Sequence, residues 1–165
     1  MKKGITVVGL GPGSAGHLSL ETMAVLQSGS RVILRTAVHP SVKELEQAGV
    51  KFTSCDAVYE NEASFEDVYQ KIVTAVLQAA GEQEVVYAVP GSPLVAERTV
   101  VMLREQAAAA GVPLKILPAM SFLDLAYVNL AVDPIAGLRI VDAHDFEALA
   151  SAGQYPLMIT QVYSQ

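Results

Sequence analysis

The sequence predicts an α/β domain built on a mostly parallel β-sheet, because short apolar segments alternate with amphipathic segments over residues 1–117. The first segment, Ile5–Val8, is apolar or β-branched throughout, which is typical of a strand covered on both faces. Turns rich in glycine and proline follow two of these segments, at Gly9–Ser14 and Pro90–Pro93. In a parallel sheet both turns would lie at the carboxyl edge of the strands, where such folds bind ligands.

Five strands flanked by helices are predicted for this domain, each from its local pattern. The strands are Ile5–Val8, Arg31–Arg35, Lys51–Thr53, Glu84–Val89 and Leu114–Leu117. Helices are predicted from Ser19 onward and over Ser41–Ala48, Ser64–Gly81 and Val95–Ala110. The third helix has the clearest signal, because Ser64 and Asp67 can cap its first turn and apolar residues then recur at helical spacing.

The pattern changes after Leu117. A helix is predicted over Ser121–Leu130, and strands at Arg139–Val141 and Leu157–Tyr163 enclose a short helix at Asp145–Ala152. We therefore predict a domain of residues 1–117, followed over 118–165 by a linker helix and the beginning of a second domain, truncated soon after it starts.

Composition narrows the functional class. Hydrophobic residues make up 52% of the 165 residues and charged residues 17%, which is ample for a buried core. The net charge of −6 without a basic stripe argues against a nucleic-acid partner. The single cysteine, Cys55, excludes an intramolecular disulfide and is interpreted as a buried apolar residue. No signal peptide or membrane span is recognisable, so a soluble cytoplasmic protein is expected.

A nicotinamide dinucleotide is the usual ligand of a glycine-rich first turn, and two features argue against it here. The third glycine of the G-x-G-x-x-G fingerprint would fall at Ser14, and the second strand ends in Arg35 without the acidic residue that binds the ribose. Arg35 offers a partner for a 2′-phosphate, so this alternative stays open. A glycine-rich turn without any ligand is the other alternative.

The sequence contains no recognisable catalytic or metal-binding constellation. It has no P-loop lysine, and Gly91-Ser92-Pro93 lacks the second glycine of a nucleophile elbow. The three histidines lie far apart, so no metal ligands are predicted. Asp142–Asp145 is interpreted as a solvated turn that caps a helix rather than as an acid–base cluster.

Three segments carry a more specific signal: VVGLGPGSAGHLSLET at the N-terminus, VPGSPLVAERT after the fourth strand, and PAMSFLDLAY after the fifth. In order and spacing they resemble the three loops of the tetrapyrrole methylase family, the class III S-adenosylmethionine (SAM) methyltransferases. The resemblance spans the whole chain. It is closest to the branch fused to a MazG-like nucleoside triphosphate pyrophosphohydrolase, on the evidence of Val89–Pro93, Ser121–Asp124 and Asp133–Gly137.

The resemblance implies a two-domain fold in which the second domain has a mostly antiparallel sheet and SAM binds in the cleft between the domains. It implies a SAM-dependent methyltransferase domain, the N-terminal piece of a longer bifunctional protein, acting as a homodimer on a small-molecule acceptor. Tetrapyrrole-like compounds are among the candidate acceptors. Methyl transfer is then a direct displacement that needs positioning and no covalent nucleophile, so no catalytic residue is assigned.

Nine residues are implied as the cofactor-binding set by this resemblance: Leu10, Gly11 and Pro12 in the first loop, Gly91, Ser92 and Val95 in the second, Ser121 and Phe122 in the third, and Gln161 on the last strand. One position departs from the family. Ser92 stands where most members have an aspartate, and a serine hydroxyl supplies hydrogen bonds but no charge. A non-catalytic regulatory or assembly domain of a MazG-like pyrophosphohydrolase is therefore the alternative function.

Overall fold

The computed structural model describes residues 3–61, 64–150, 153 and 156–162. The chain divides into two compact units, Met1–Asp124 and Leu125–Gln165. The sequence pattern changes a few residues earlier, after Leu117.

The first unit contains a five-stranded sheet in the order β3-β2-β4-β1-β5, with every neighbouring pair parallel, as predicted. The strands are β1 (Ile5–Gly9), β2 (Arg31–Leu34), β3 (Phe52–Ser54), β4 (Val85–Val89) and β5 (Leu114–Ile116). The helices are α1 (Leu20–Leu26), α2 (Val42–Gln47), α3 (Asp56–Asn61), α4 (Phe65–Ala80) and α5 (Arg98–Ala110), and a short 3₁₀ helix covers Ala15–His17. The next helix, α6 (Phe122–Leu130), spans the boundary between the units.

Each face of the sheet has its own hydrophobic core, because successive side chains of a strand point to opposite faces. Val85 and Tyr87 of β4 pack with α4 and α5, whereas Val86 and Ala88 pack with α1 and α2. The strands are therefore covered on both sides, which explains why β1 and β4 consist almost entirely of apolar residues, with Thr6 as the polar exception in β1. Cys55 is buried in the first of these cores, as predicted, and burial raises the pKa of its thiol to about 11.

Two helix ends, the start of α4 and the end of α5, lie where the local sequence signals predict them. The Ser64 hydroxyl accepts a hydrogen bond from the Asp67 amide, which begins α4 as predicted. Gly111 follows α5 with a left-handed φ of 62°, which terminates that helix.

Helix α3 was not predicted, because it is short. The carboxylate of Asp56 at its start accepts hydrogen bonds from Thr36 Oγ1 and the Ala37 amide. Within the described residues, no helix has the length and apolar character needed to cross a bilayer.

The start of α5 differs from the prediction. The sequence suggests a helix from Val95, but the helix begins at Arg98. Ser92 O accepts a hydrogen bond from the Val95 amide at 3.1 Å, which closes a turn. Ala96 has a left-handed φ of 53°, which is incompatible with a right-handed helix. Tertiary contacts of Glu97, described below, hold this conformation against the local helical preference.

The second unit contains β6 (Arg139–Asp142), α7 (Phe146–Ala150) and β7 (Leu157–Thr160), preceded by a 3₁₀ helix at Pro134–Ala136. The expectation of a mostly antiparallel sheet is wrong for these strands, since β6 and β7 pair in parallel. The physical reason is the length of the segment between β6 and β7. It is long enough to hold a helix, and such a segment returns the chain to the end of the sheet where β6 begins, so that β7 runs in the same direction.

The end of β7, the end of the predicted helix and the Asp142–Asp145 turn also bear on the predictions. β7 ends at Thr160 rather than at Tyr163, and Tyr163 lies outside the described residues, as do 151 and 152 of the predicted helix. The Asp142–Asp145 segment is a turn in which the Asp142 carboxylate accepts a hydrogen bond from the His144 amide at 2.8 Å. This hydrogen bond lowers the pKa of Asp142. The Asp145 carboxylate accepts a hydrogen bond from the Ala148 amide at 2.9 Å and so caps α7, which confirms the interpretation as a capping turn.

Strand order identifies the edge where a ligand is expected. From β1 the chain passes through α1 to β2 on one side, and from β4 it passes through α5 to β5 on the other. β1 and β4 are neighbours whose connections leave in opposite directions, so a crevice opens at their carboxyl ends. The first and second loops begin there.

The two-sided core gives a direct stability test on α5. Leu103 is fully buried, whereas Val101 on the same helix is 39% exposed. Replacing Leu103→Ala leaves a cavity between α5 and the sheet and should lower the free energy of unfolding by about 2–5 kcal/mol in urea denaturation. The matched variant Val101→Ala should change it by less than about 0.5 kcal/mol. Equal effects of the two variants would contradict the packing of α5 described here.

Candidate functional site

Three loops meet at Gly9, the last residue of β1. A Cβ atom built at Gly9 would collide with Gly91 O, and it would lie 2.5 Å from Ala119 Cβ and 2.9 Å from Pro93 Cδ. These neighbours belong to the loop after β4 and to the segment after β5. The missing side chain at Gly9 therefore lets the second and third loops close over the end of β1.

The first and second loops are joined by a pair of backbone hydrogen bonds. Gly11 N donates to Gly91 O at 3.2 Å, and Gly91 N donates to Gly11 O at 2.8 Å. Both glycines have positive φ, 71° at Gly11 and 64° at Gly91, a conformation that costs glycine nothing. A Cβ at Gly91 would meet no atom within 4 Å, so open space borders the backbone at this point.

His39 secures the first loop from the side of β2. Its Nε2 lies 3.1 Å from Gly11 O, and its Nδ1 lies 2.9 Å from Ser41 Oγ. Because a carbonyl only accepts, Nε2 carries the proton. Nδ1 accepts a hydrogen bond from the Ser41 amide at 3.3 Å, so it carries no proton and the imidazole is neutral. Burial lowers the pKa of His39, and the weaker effect of the Gly11 carbonyl opposes that shift. The first loop is thus held by a neutral histidine.

The third loop is organised by a capping interaction at the start of α6. The Asp124 carboxylate accepts hydrogen bonds from the Ser121 amide at 2.6 Å and from the Ser121 hydroxyl at 2.9 Å. The hydrogen bond from that amide is the main reason why the pKa of Asp124 is lowered. Ser121 is buried, whereas the Phe122 ring beside it is 40% exposed.

All predicted cofactor residues except Gln161 lie in the first unit. Gly11, Pro12, Gly91, Ser92 and Val95 lie on the two loops joined by the glycine pair, and Ser121 and Phe122 lie on the third. The Leu10 side chain is fully buried in the core shared with α1 and α2, so only its backbone is available to a ligand. Gln161 follows β7 in the second unit, with a left-handed φ of 58°. The cofactor assignment of these residues stays a prediction.

A buried ion pair at the same edge was not predicted. Arg35, which follows β2, places its Nε 3.3 Å from Glu97 Oε2, and the Glu97 side chain is only 4% exposed. Sequence reasoning missed it because Glu97 read as an ordinary helical residue. Glu97 therefore balances the charge of Arg35 within the chain, and Arg35 does not need the 2′-phosphate of a dinucleotide as its partner.

A cleft of about 410 Å³ lies between the first and third loops. It is lined by Gly16, His17, Leu18, Ser19, Pro118, Ala119, Met120 and Asp124. His17 Nδ1 is buried there without a hydrogen-bond partner among the described residues. No group of three or more His, Cys, Asp or Glu side chains that suits a metal ion occurs in the described part of the chain.

The chemistry of the three loops suits binding and positioning. Their polar groups are chiefly backbone amides and carbonyls and the half-buried Ser92 side chain. The ionised Asp124 carboxylate already accepts hydrogen bonds from the Ser121 amide and hydroxyl. Neither a nucleophile with an adjacent base nor a metal cluster is present among the described loop residues. Such a surface fits a reaction whose chemistry resides in the cofactor.

Residues 4–145 match the family model described as Tetrapyrrole (Corrin/Porphyrin) Methylases. The chain is also 39% identical over 161 residues to Uncharacterized protein YabN of Bacillus subtilis (strain 168). That match covers 98% of this chain and 33% of YabN, so the chain spans about a third of the length of this curated relative.

Solved structures with a similar fold include uroporphyrin-III-C-methyltransferase from Thermus thermophilus, with a TM-score of 0.63 and 22% identity. This match covers 88% of the present chain and 62% of that one. The precorrin-6Y methylase (cbiE) of cobalamin biosynthesis from Archaeoglobus fulgidus matches with a TM-score of 0.65 and 23% identity, over 94% of this chain and 72% of that one. At these identities the likeness shows the fold.

The packing at Gly9 predicts a large effect from one methyl group. Gly9→Ala forces the second and third loops away from β1 and should lower the free energy of unfolding by about 3 kcal/mol in urea denaturation. The matched variant is Gly13→Ala in the same loop, where the new Cβ would meet only His17 Nδ1 at 3.8 Å. It should change stability by less than about 0.5 kcal/mol. If Gly9→Ala proves as stable as Gly13→Ala, the three loops do not converge as described.

His39 predicts a pH dependence of stability. Because burial lowers the pKa of His39, its imidazole takes up a proton at lower pH in the folded chain than in the unfolded chain. The pKa of histidine in the unfolded chain is about 6.5. The stability contributed by neutral His39 is present above about pH 6.5 and is lost as the pH falls through the lowered folded value. Urea denaturation from about pH 7.5 to 5 should therefore show a steeper loss for the wild type than for His39→Asn, by at most about 1.4 kcal/mol per pH unit. Identical pH profiles would exclude this role.

Proposed function

The chain belongs to the tetrapyrrole (corrin/porphyrin) methylase family, and we propose that its carboxyl-edge loops bind SAM as part of a SAM-dependent methyltransferase domain. The observation that carries this proposal is the convergence of the three loops at the strands β1 and β4, where the chain connections diverge. That crevice is where open α/β sheets take nucleotide-like ligands. The matched family and the two solved methyltransferase structures support the same interpretation.

The residues present fit such a cofactor. The backbone at Gly91 borders open space, so a ligand can approach it closely. Ser92 and Val95 belong to a tight turn beside it, which offers amide and hydroxyl groups to the amino-acid part of SAM. Ser121 and the exposed part of the Phe122 ring provide a polar and an aromatic group on the third loop.

SAM supplies a methyl group on a positively charged sulfur, which an acceptor displaces directly. The role of this chain is then to hold the cofactor in one orientation and to keep the loops ordered around it. Loops fixed by paired backbone hydrogen bonds and by the neutral His39 are suited to this, because little ordering remains to be done on binding. No general base or nucleophile of the chain is required.

The finer parts of the proposal rest on the motif resemblance. Val89–Pro93, Ser121–Asp124 and Asp133–Gly137 favour the branch fused to a MazG-like pyrophosphohydrolase, so we place the chain at the N-terminal side of a longer bifunctional protein. We propose a cytoplasmic homodimer acting on a small molecule, with tetrapyrrole-like compounds among the acceptors, and with neither nucleic acid nor membrane as partner. Sedimentation equilibrium on the full-length protein tests the dimer.

A second function is favoured by one residue. Ser92 carries no charge where most of the family has an aspartate, which suits a regulatory or assembly domain that has lost cofactor binding. The variant Ser92→Asp separates the two functions. If the site is a functioning variant, the added charge should weaken S-adenosylhomocysteine binding; if the site has decayed, it should create or strengthen that binding.

Calorimetric titration with S-adenosylhomocysteine tests the proposal, with NADPH as the comparison ligand. We expect saturable binding of the first and none of the second. Ser92→Tyr places a ring in the proposed pocket and should weaken binding at least about tenfold. Ser28→Tyr is the matched control, because Ser28 is exposed between α1 and β2, at the opposite edge of the sheet.

Two results of the titration count against the proposal. Saturable binding of NADPH alone would favour an oxidoreductase. Binding of neither ligand would overturn the proposal that these 165 residues form an active methyltransferase domain and would favour the regulatory function.

A further inference from the structure

We propose that Arg35 and Glu97 are positioning residues, which hold the second loop in the conformation that receives the ligand. The inference rests on the proposed function, because it assigns a role in the same site. It concerns a loop, Gly91–Ala96, whose start is held by the Gly11 hydrogen bonds and whose end is held by Glu97.

The Glu97 carboxylate makes two sets of contacts, one with Thr99 at the start of α5 and one with Arg35 after β2, and a shorter side chain would not reach both. Its Oε1 accepts hydrogen bonds from the Thr99 amide at 3.2 Å and the Thr99 hydroxyl at 2.7 Å, which caps α5. Its Oε2 lies 3.3 Å from Arg35 Nε. Ser, Thr, Asp and Asn are the preferred capping residues, and a glutamate is an unusual choice for capping alone. Its extra length lets one carboxylate reach both the helix start and the end of β2.

Arg35 is anchored at its backbone as well as at its side chain. Its amide donates to Ala88 O of β4 at 2.8 Å, directly before the second loop begins. By strand alternation its side chain points to the same sheet face as Ile33, toward the core formed by α4 and α5. The side chain is 26% exposed, and Nε is buried with the Glu97 carboxylate nearby but with its N–H not directed along a hydrogen bond. The contact is therefore electrostatic.

The charge balance shows why this pair acts as a unit. Burial is the largest single influence on the pKa of Arg35 and acts to lower it. The Glu97 charge, the strongest opposing influence, outweighs burial only together with nearby tyrosines, and the pKa is raised. Thr99 donates its hydroxyl proton to Glu97, so Tyr87 donates to Thr99 Oγ1 at 2.8 Å. The network thus extends from β2 through α5 into β4. Removing the Arg35 charge leaves the buried Glu97 carboxylate without its cation, and removing the Glu97 charge leaves the partly exposed Arg35 without its anion.

The conformation of the loop requires such a tether. Ala96 has a left-handed φ of 53°, which L-residues other than asparagine and aspartate rarely adopt. Without the contact to Arg35, the local preference is to extend α5 backward through Ala96 toward Val95. Such an extension would remove the Ser92–Val95 turn and redirect the backbone groups beside Gly91.

The test compares Glu97→Gln, Arg35→Met and the double variant in two measurements. The first is amide hydrogen exchange at Val95 and Thr99 without ligand; each amide is hydrogen-bonded in the folded loop. The second is S-adenosylhomocysteine affinity by calorimetry. We expect about tenfold faster exchange and about tenfold weaker binding in each single variant, with little further change in the double variant.

Controls separate positioning from general destabilisation. Leu26→Ala removes a buried side chain from the core on the other sheet face and should lower stability without changing exchange or affinity. Tyr59→Phe removes a buried hydroxyl that has no partner among the described residues, close to Arg35, and should change neither. Arg35→Lys keeps the charge and should restore part of the affinity lost in Arg35→Met.

The two proposals fail in distinguishable ways. If the wild type does not bind S-adenosylhomocysteine, the proposed function fails, and the exchange rates at Val95 and Thr99 still decide whether Arg35 and Glu97 order the loop. If exchange and affinity in Glu97→Gln and Arg35→Met match those of Leu26→Ala at equal stability, the pair has only a structural role and the inference is overturned.

Discussion

The absence of a side chain at Gly9 is the constraint on which the site depends. Any Cβ there would occupy the space taken by Gly91 O, Pro93 and Ala119. Because three loops from three different strands use this space, the edge of the sheet closes around backbone atoms. The Gly11–Gly91 hydrogen bonds then fix the first loop against the second. The loops are ordered by the fold itself before any ligand arrives.

This construction determines which chemistry remains available. The charged groups near the loops are committed to internal partners: Arg35 to Glu97, and Asp124 to Ser121. What faces outward is neutral, chiefly backbone groups and the Ser92 hydroxyl. Such a surface binds and orients a molecule that already carries its own reactivity, and it offers little to acid–base or covalent catalysis. The serine at position 92 fits this pattern, because it leaves the binding surface without a fixed charge.

Much of this arrangement follows from local sequence patterns. β1, β4 and α4 have uninterrupted apolar or clearly periodic segments, and their neighbours along the chain determine them. The start of α5 does not follow, because residues 95–97 are compatible with a helix and the observed turn depends on Arg35, which is distant in sequence. The roles of Gly9 and His39 depend likewise on loops that meet only in the folded chain. The parallel pairing of β6 with β7 was missed because strand direction is not encoded in the strand segments themselves.

The central claim is that the converging loops form one SAM-type site. A crystal structure of the chain with S-adenosylhomocysteine tests it most directly. The account predicts ligand density against the Gly91–Val95 backbone and beside Ser121, with the Gly11–Gly91 hydrogen bonds intact. Density confined to the cleft between Gly16–Ser19 and Pro118–Met120, or a ligand that breaks the glycine pair in order to bind, would contradict it.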